Sequence, residues 1–327
     1  MSDLFRVTRL TKEFSVHGSV LDLLFAGGRK SVVHAVDEVS FEIREGEVLG
    51  LAGESGSGKS TTGRLLLRLI EPTSGSIEYR GRDLRNISRR EMESLRRKLQ
   101  VVFQDPNSSL SPRMSVGQAI GHPLAIHGLG SAGERRDRVL EVMVRIGLTP
   151  AGFLYRKYPH QLSGGQCQRV VLARALVTGP EFIVADEPIA MADVSVRALI
   201  LELMKRLKEE FNLTYLFITH DLATAKYLCD RIAIMYLGRI VELGSREELF
   251  ARPHHPYTRA LLDAVPVPDP DQRRTREVVR GEIPSAIQPP AGCHFHPRCP
   301  FAMPKCREAR PPLKEIAPGH LSACLLD

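Results

Sequence analysis

The sequence predicts an α/β fold for most of the chain, followed by a small extension rich in proline and cysteine. Three observations carry this reading. Over the first 250 residues short apolar runs alternate with longer amphipathic ones, the pattern of strands and helices stacked in layers. A glycine-rich loop ending in lysine stands between one such apolar run and a helical segment. Beyond residue 250 the composition changes: 14 of the 22 prolines fall there, in less than a quarter of the chain. A length of 327 residues suits one large domain with an extension, or two domains.

Val48 to Ala52 (VLGLA) reads as a buried strand, as do Gln100 to Phe103, Phe182 to Ala185 and Thr214 to Thr219. An apolar helix is expected from Ser60 to about Leu69. Ser88 followed by Glu91 has the form of a capping box opening a helix that runs to Leu99. Val139, Val142, Met143 and Ile146 share one helical face. A further helix runs from Gln168 to about Val177, and another places Val196, Leu199, Ile200, Leu203 and Leu207 at helical spacing. Residues 17–33 interrupt two strand-like segments and read as a loop insertion, with a turn at Gly27-Gly28.

Composition narrows the function classes. With 43% apolar and 25% charged residues the chain is ordinary globular protein. Its net charge of +7 comes from scattered arginines rather than a tract, so charge alone argues only weakly for a polyanion partner. No stretch approaches 18 uninterrupted apolar residues, so no membrane span is expected. The start, MSDLFRVTRL, lacks the apolar core of a signal peptide, and a cytosolic address follows as an expectation. Structural disulfides are then not expected, and the six cysteines need another reading.

Gly53-Glu54-Ser55-Gly56-Ser57-Gly58-Lys59-Ser60 fits G-x-x-x-x-G-K-[ST], with a strand before it and a helix after it. The glycines let successive N–H groups turn toward one anion, and the helix N-terminus adds its positive end. Lys59 would neutralise β- and γ-phosphates, and the Ser60 hydroxyl would reach Mg²⁺. This loop implies a nucleoside triphosphate and no more. Phe182 to Glu187 is an apolar strand ending in two carboxylates, the chemistry for ordering Mg²⁺ (Asp186) and polarising a water (Glu187). His220 stands at the C-terminal end of another strand, where ligands of parallel sheets gather. Leu162-Ser163-Gly164-Gly165-Gln166 precedes a helix and forms a second anion site. It cannot serve the same face of the same nucleotide without large bending, and makes sense against the ATP of another subunit.

The set GESGSGKST, VVFQDP, LSGGQ, IVADEP and ITHD, in this order, resembles an ATP-binding cassette (ABC) ATPase over about residues 4–250. Phe103 to Pro106 followed by Ser109 to Arg113, Tyr158-Pro159-His160, Arg252 to Thr258, and the tail from Gly281 are similar to the oligopeptide/dipeptide importer group. The resemblance implies a P-loop NTPase fold with a RecA-like parallel core, an antiparallel β subdomain and a helical subdomain at about 105–178. It implies an ATP-binding domain at 1–250 and an extension at 251–327. Phe14 would stack on adenine, with a core strand residue as the competing reading. Gly53, Ser55, Gly56, Ser57, Gly58, Lys59, Ser60 and Thr61 would bind phosphate. Ser60, Gln104 and Asp186 would serve Mg²⁺, Glu187 as general base, and His220 would hold the γ-phosphate. Ser163, Gly165 and Gln166 would close over a partner's ATP.

Further implications are a second ATPase subunit, expected to be a different chain, two transmembrane permease subunits and an extracytoplasmic solute-binding protein, with the chain at the cytoplasmic face of the membrane and no direct nucleic-acid partner. The solute class implied is di- or oligopeptide, with oligosaccharide or nickel as alternatives. A soluble cassette ATPase acting on DNA or ribosomes, and a small-molecule kinase, are the rival classes; the first usually carries two cassettes or a coiled-coil insertion, and LSGGQ has no role in the second. Two positions depart from the family pattern: Ile189 to Asp193 keeps only its aspartate, and Cys167 stands where arginine is usual. Cys167 reads as a small buried thiol, and Cys229 as a core residue on a helix.

Cys293, Cys299, Cys306 and Cys324 lie in the last 35 residues and suggest a metal staple. No C-x₂₋₄-C knuckle favours zinc, whereas iron–sulfur clusters accept varied spacings. The resemblance implies a [4Fe–4S] cluster; zinc or free thiols are the alternatives, with His294 and His296 as nearby substitute ligands.

Overall fold

The computed structural model describes residues 3–16, 31–190, 193–265 and 281–326. Its strands in chain order are β1 (Asp3–Val16), β2 (Ser31–Arg44), β3 (Val48–Ala52), β4 (Ser74–Tyr79), β5 (Arg82–Asp83), β6 (Leu99–Val102), β7 (Phe182–Asp186), β8 (Thr214–Thr219), β9 (Arg231–Tyr236), β10 (Arg239–Ser245), β11 (Lys314–Ala317) and β12 (His320–Ser322). The chain forms two compact units. One comprises Met1–Arg44, Leu49–Arg85 and Ile218–Asp327; the other comprises Glu45–Val48 and Asn86–Phe217. The insertion expected at 17–33 and its Gly27-Gly28 turn lie outside the described residues up to residue 30; residues 31–33 open β2.

In the first unit β2, β1, β4 and β5 form an antiparallel sheet in that order. Phe5 pairs with Ile43, Val7 with Phe41 and Leu10 with Val39, all six buried. The second half of β2 alternates buried and exposed residues, the signature of a sheet with one face in the core. The same unit holds the strand order β11-β12-β10-β9-β3, in which β3 runs parallel to β9. All five residues of β3 are buried, as its unbroken apolar sequence requires.

In the second unit β8, β7 and β6 follow in that order, with β6 and β7 parallel and Leu99 opposite Phe182. Helices Val116–Ile126, Ala132–Arg145 and Gly164–Leu176 pack together. Each opens on a capping box: Ser115 with Gln118, Ser131 with Glu134, Ser163 with Gln166. Met143, Val139 and Ile146 are buried on the face the spacing predicted.

Element ends differ from the expected ones for local reasons. The box at Ser88 and Glu91 is present, but its helix stops at Leu95, and Leu99 already belongs to β6. The Lys98 carbonyl accepts bonds from the N–H groups of Glu181 and Phe182, so pairing with β7 captures these residues. The expected strand at Gln100–Phe103 shifts by one residue, to Leu99–Val102, for the same reason. The helix after the glycine loop covers Lys59–Leu66 rather than reaching Leu69. Arg68, with φ +47, ends it: its N–H donates to Leu65 and that of Leu69 to Arg64. The helix expected from Gln168 starts earlier, at Gly164, and the one carrying Ile200, Leu203 and Leu207 spans Val194–Phe211. Those three are buried, but Leu199 is 57% exposed. Cys229 is buried just past the helix Leu222–Leu228.

Candidate functional site

The glycine loop of the first unit is shaped by what its glycines alone permit. Gly58 caps the helix Lys59–Leu66 with φ +104, and a Cβ there would run into the carbonyl of Ala35. Gly53 is closed off in the same way by the Met235 carbonyl. The Lys59 side chain folds back into the loop: its ammonium donates to the carbonyls of Gly53 and Glu54, each at 2.8 Å, and to Ser57 Oγ at 3.4 Å. Ser55 and Gly56 are exposed, Ser57 is buried, and Ser60 and Thr61 are half-buried. Phe14 is 40% exposed on β1, with the Lys12 ammonium 5.0 Å from its ring centre, so it is not a core residue. His220 is exposed immediately after β8.

The second unit brings two of the predicted residues together. β7 ends in buried Asp186, and Glu187 follows in the left-handed region at φ +47. Gln104 Nε2 donates to Glu187 Oε2 at 2.9 Å across 83 residues of sequence. A carboxylate held by an amide donor has one oxygen fixed in direction. Ser163 and Gln166 engage each other: the Gln166 N–H donates to Ser163 Oγ at 3.3 Å, and the Ser163 N–H to Gln166 Oε1 at 3.0 Å. Gly165 lies close to Val196, where an added Cβ would stand 3.1 Å from its methyl. Buried Gln168, which the sequence did not single out, donates to the carbonyl of Pro188. This fastens the helix behind LSGGQ to the turn after Glu187. Cys167 is buried, and burial raises its thiol pKa, in keeping with a core thiol. In the divergent stretch Ile189–Asp193, Met191 and Ala192 lie outside the described residues.

None of the four tail cysteines is in a disulfide; Cys306 and Cys324 are buried, Cys293 and Cys299 partly so. The Cys293 N–H donates to the Cys306 carbonyl at 2.8 Å. Gly292, at φ +67, leaves no room for a Cβ against Cys306 and Arg307. Burial first, then the charges of Cys306, Cys324 and Cys299, push the Cys293 thiol up to about 11. Among the described residues no three His, Cys, Asp or Glu side chains form a group that could hold a metal ion. His294 is buried with Nδ1 donating to the Leu237 carbonyl at 3.1 Å, and His296 Nδ1 stands 2.9 Å from the Cys293 carbonyl.

Other contacts were not foreseen. Glu54, second in the glycine loop, is paired with Arg298, and its N–H donates to the Tyr257 hydroxyl. Glu242, fully buried, accepts from the N–H groups of His254 (2.8 Å) and His255 (2.9 Å) and meets His320 Nε2 at 2.7 Å. This carboxylate gives the two histidines of the Arg252 to Thr258 segment a physical reason.

Comparison with known proteins shows the family. The ABC transporter family matches residues 36–190, and the family described as oligopeptide/dipeptide transporter, C-terminal region, matches residues 241–306. The chain is 51% identical over 311 residues to a putative oligopeptide transport ATP-binding protein of Bacillus subtilis, covering 94% of each. It is 50% identical over 299 residues to a putative peptide import ATP-binding protein of Brucella ovis, covering 91% of this chain and 94% of that protein. Among solved structures, a dimeric ATP-binding cassette in a post-hydrolysis state with ADP and Pi shares 31% identity and a TM-score of 0.64, over 74% of this chain and 98% of that one.

Proposed function

The chain belongs to the ABC transporter ATPases, and from that membership we propose that it is the ATP-hydrolysing subunit of an importer for di- or oligopeptides. The observation that carries the ATPase reading is the phosphate loop between β3 and its helix, with backbone at Gly53 and Gly58 that leaves no room for a Cβ and with the Lys59 side chain folded into it. The peptide reading is supported by the relatives at about 50% identity and by the C-terminal region that matches residues 241–306.

In this reading Phe14 stacks on adenine, and the amides of Gly53 to Thr61 with Lys59 take the phosphates. Ser60, Gln104 and Asp186 are the oxygen donors that would hold Mg²⁺, which screens phosphate charge when bound. Glu187 accepts the proton of the attacking water, with Gln104 keeping its carboxylate turned. His220 donates to the γ-phosphate. Ser163, Gly165 and Gln166 serve the ATP of a second ATPase subunit. Residues 1–250 form the ATP-binding domain and 251–327 the extension. Two permease subunits and an extracytoplasmic binding protein complete the complex, which places this chain peripherally on the cytoplasmic face; among the described residues no helix is long and apolar enough to cross a membrane.

For the tail, the reading is a [4Fe–4S] cluster held by Cys293, Cys299, Cys306 and Cys324, with zinc as the alternative; its support is the all-sulfur donor set of the sequence. Such a cluster, when bound, supplies a one-electron centre and a covalent brace for the tail.

Hydrolysis by the purified chain tests the core of the reading. Glu187→Gln is expected to bind Mg-ATP and to hydrolyse it at least about 100-fold more slowly. Uptake of a labelled dipeptide by cells bearing Glu187→Gln tests the solute: undiminished uptake would sink the peptide assignment.

A further inference from the structure

Glu54 is gripped from two sides by parts of the chain remote in sequence. Its N–H donates to the Tyr257 hydroxyl at 2.8 Å, from 203 residues away. Its carboxylate accepts two bonds from the Arg298 guanidinium, Nη1 to Oε2 at 2.8 Å and Nη2 to Oε1 at 3.1 Å, from 244 residues away. A fork-on-fork pair fixes the planes of both groups, which a lysine could not do. The Arg298 side chain is only 9% exposed, so solvent screens the pair weakly. The guanidinium lies 5.9 Å from the Tyr236 ring and 6.0 Å from the Phe295 ring. Those rings pack on Tyr257 with centres 4.7 and 5.4 Å away.

Arg298 is itself held in the turn between Cys293 and Cys299. Its N–H donates to the Phe295 carbonyl at 3.0 Å, and that of Cys299 to the His296 carbonyl at 3.3 Å. On the loop side, the Glu54 carbonyl is one of the acceptors that hold the Lys59 ammonium. The cysteine turn, Arg298, Glu54 and Lys59 thus form one continuous chain of polar contacts.

We propose that Arg298 is a positioning residue for ATP binding: through Glu54 it holds the phosphate loop in the form that presents Lys59, so that nucleotide affinity depends on the folded cysteine turn. This deepens the ATP-site reading above and rests on it.

The test measures Mg-ATP affinity, steady-state hydrolysis and amide exchange of residues 53–58 on the full chain. Arg298→Gln is expected to raise Kd and KM for ATP by on the order of tenfold, with kcat nearly unchanged. Exchange of the loop amides in the nucleotide-free protein should quicken. Glu54→Gln should have a similar effect, and the double variant should bind no worse than either single one, because both remove the same pair. Arg298→Lys, which keeps charge but not the fork, should fall between; it also carries the test if Arg298→Gln fails to fold. Wild-type affinity in Arg298→Gln or Arg298→Lys, or additive losses in the double variant, would overturn the proposal. Lys59→Ala is measured alongside. If it binds ATP as tightly as the wild type, the ATP-site reading itself fails. If it loses binding while the Arg298 variants do not, only the coupling fails.

Discussion

Glu187 sits at φ +47, a conformation that a non-glycine side chain adopts at some cost, and its carboxylate is held by Gln104. Backbone strain and a side-chain tether at one residue fix the direction of one carboxylate. Gln104→Ala removes the tether without removing the base. It is expected to lower kcat by about tenfold while leaving affinity for ATP measured without Mg²⁺ near the wild-type value, as the loss of an orienting bond should. A pure affinity loss in nucleotide titrations would instead make Gln104 a binding residue. Gly58→Ala acts on the other half of the chemistry. A Cβ at φ +104 is strained, and the Ala35 carbonyl occupies its space. The loop must open to admit it, so ATP binding should be lost, and stability reduced by roughly 1–3 kcal/mol in chemical denaturation.

At the scale of the element, much of the architecture could be read from the sequence because its signals are local. The five apolar residues of β3, the capping residue Ser88 and the spacing of Val139, Met143 and Ile146 each state their own structure. Element ends were less legible because partners far away set them. Leu99 is drawn out of a helical reading by its pairing with Phe182, and Arg68 ends a helix in a left-handed conformation that sequence habit reserves for glycine. The same division holds for the site. The glycine loop and Ser163 with Gln166 are contiguous and were legible, whereas Gln168 against Pro188, or Arg298 against Glu54, joins residues that no pattern links. The capping boxes permit a comparison between helices. Ser131→Ala and Ser163→Ala each remove an N-cap acceptor and should each cost about 1 kcal/mol, read from the denaturation midpoint. Only Ser163→Ala should also depress ATP hydrolysis, since only that helix begins at the LSGGQ element. Equal hydrolysis in the two variants would make Ser163 a cap and nothing more.

At the scale of the whole molecule, the buried Glu242 carboxylate fastens β10 to β12 and to the start of the helix Pro256–Asp263. His255 is almost fully buried beside it, and its Nδ1 accepts the Tyr257 N–H, a role open only to an unprotonated nitrogen. Burial, then the positive charges of His254 and Arg259, pull this imidazole down to about 3 from an ordinary 6.5. The consequence for stability has a definite sign. Between those two values the unfolded chain binds a proton at His255 and the folded chain does not, so the unfolded state gains as pH falls. Stability is intact above about pH 6.5 and declines toward pH 3, by about 1.4 kcal/mol per pH unit where the difference is a full proton. His255→Asn keeps an oxygen able to accept the Tyr257 N–H but removes the titration. Urea unfolding of both proteins at constant ionic strength across this window should show the variant's stability falling less steeply, by up to one proton. Parallel slopes would move the acid sensitivity to other groups and leave His255 as a cap for its helix alone.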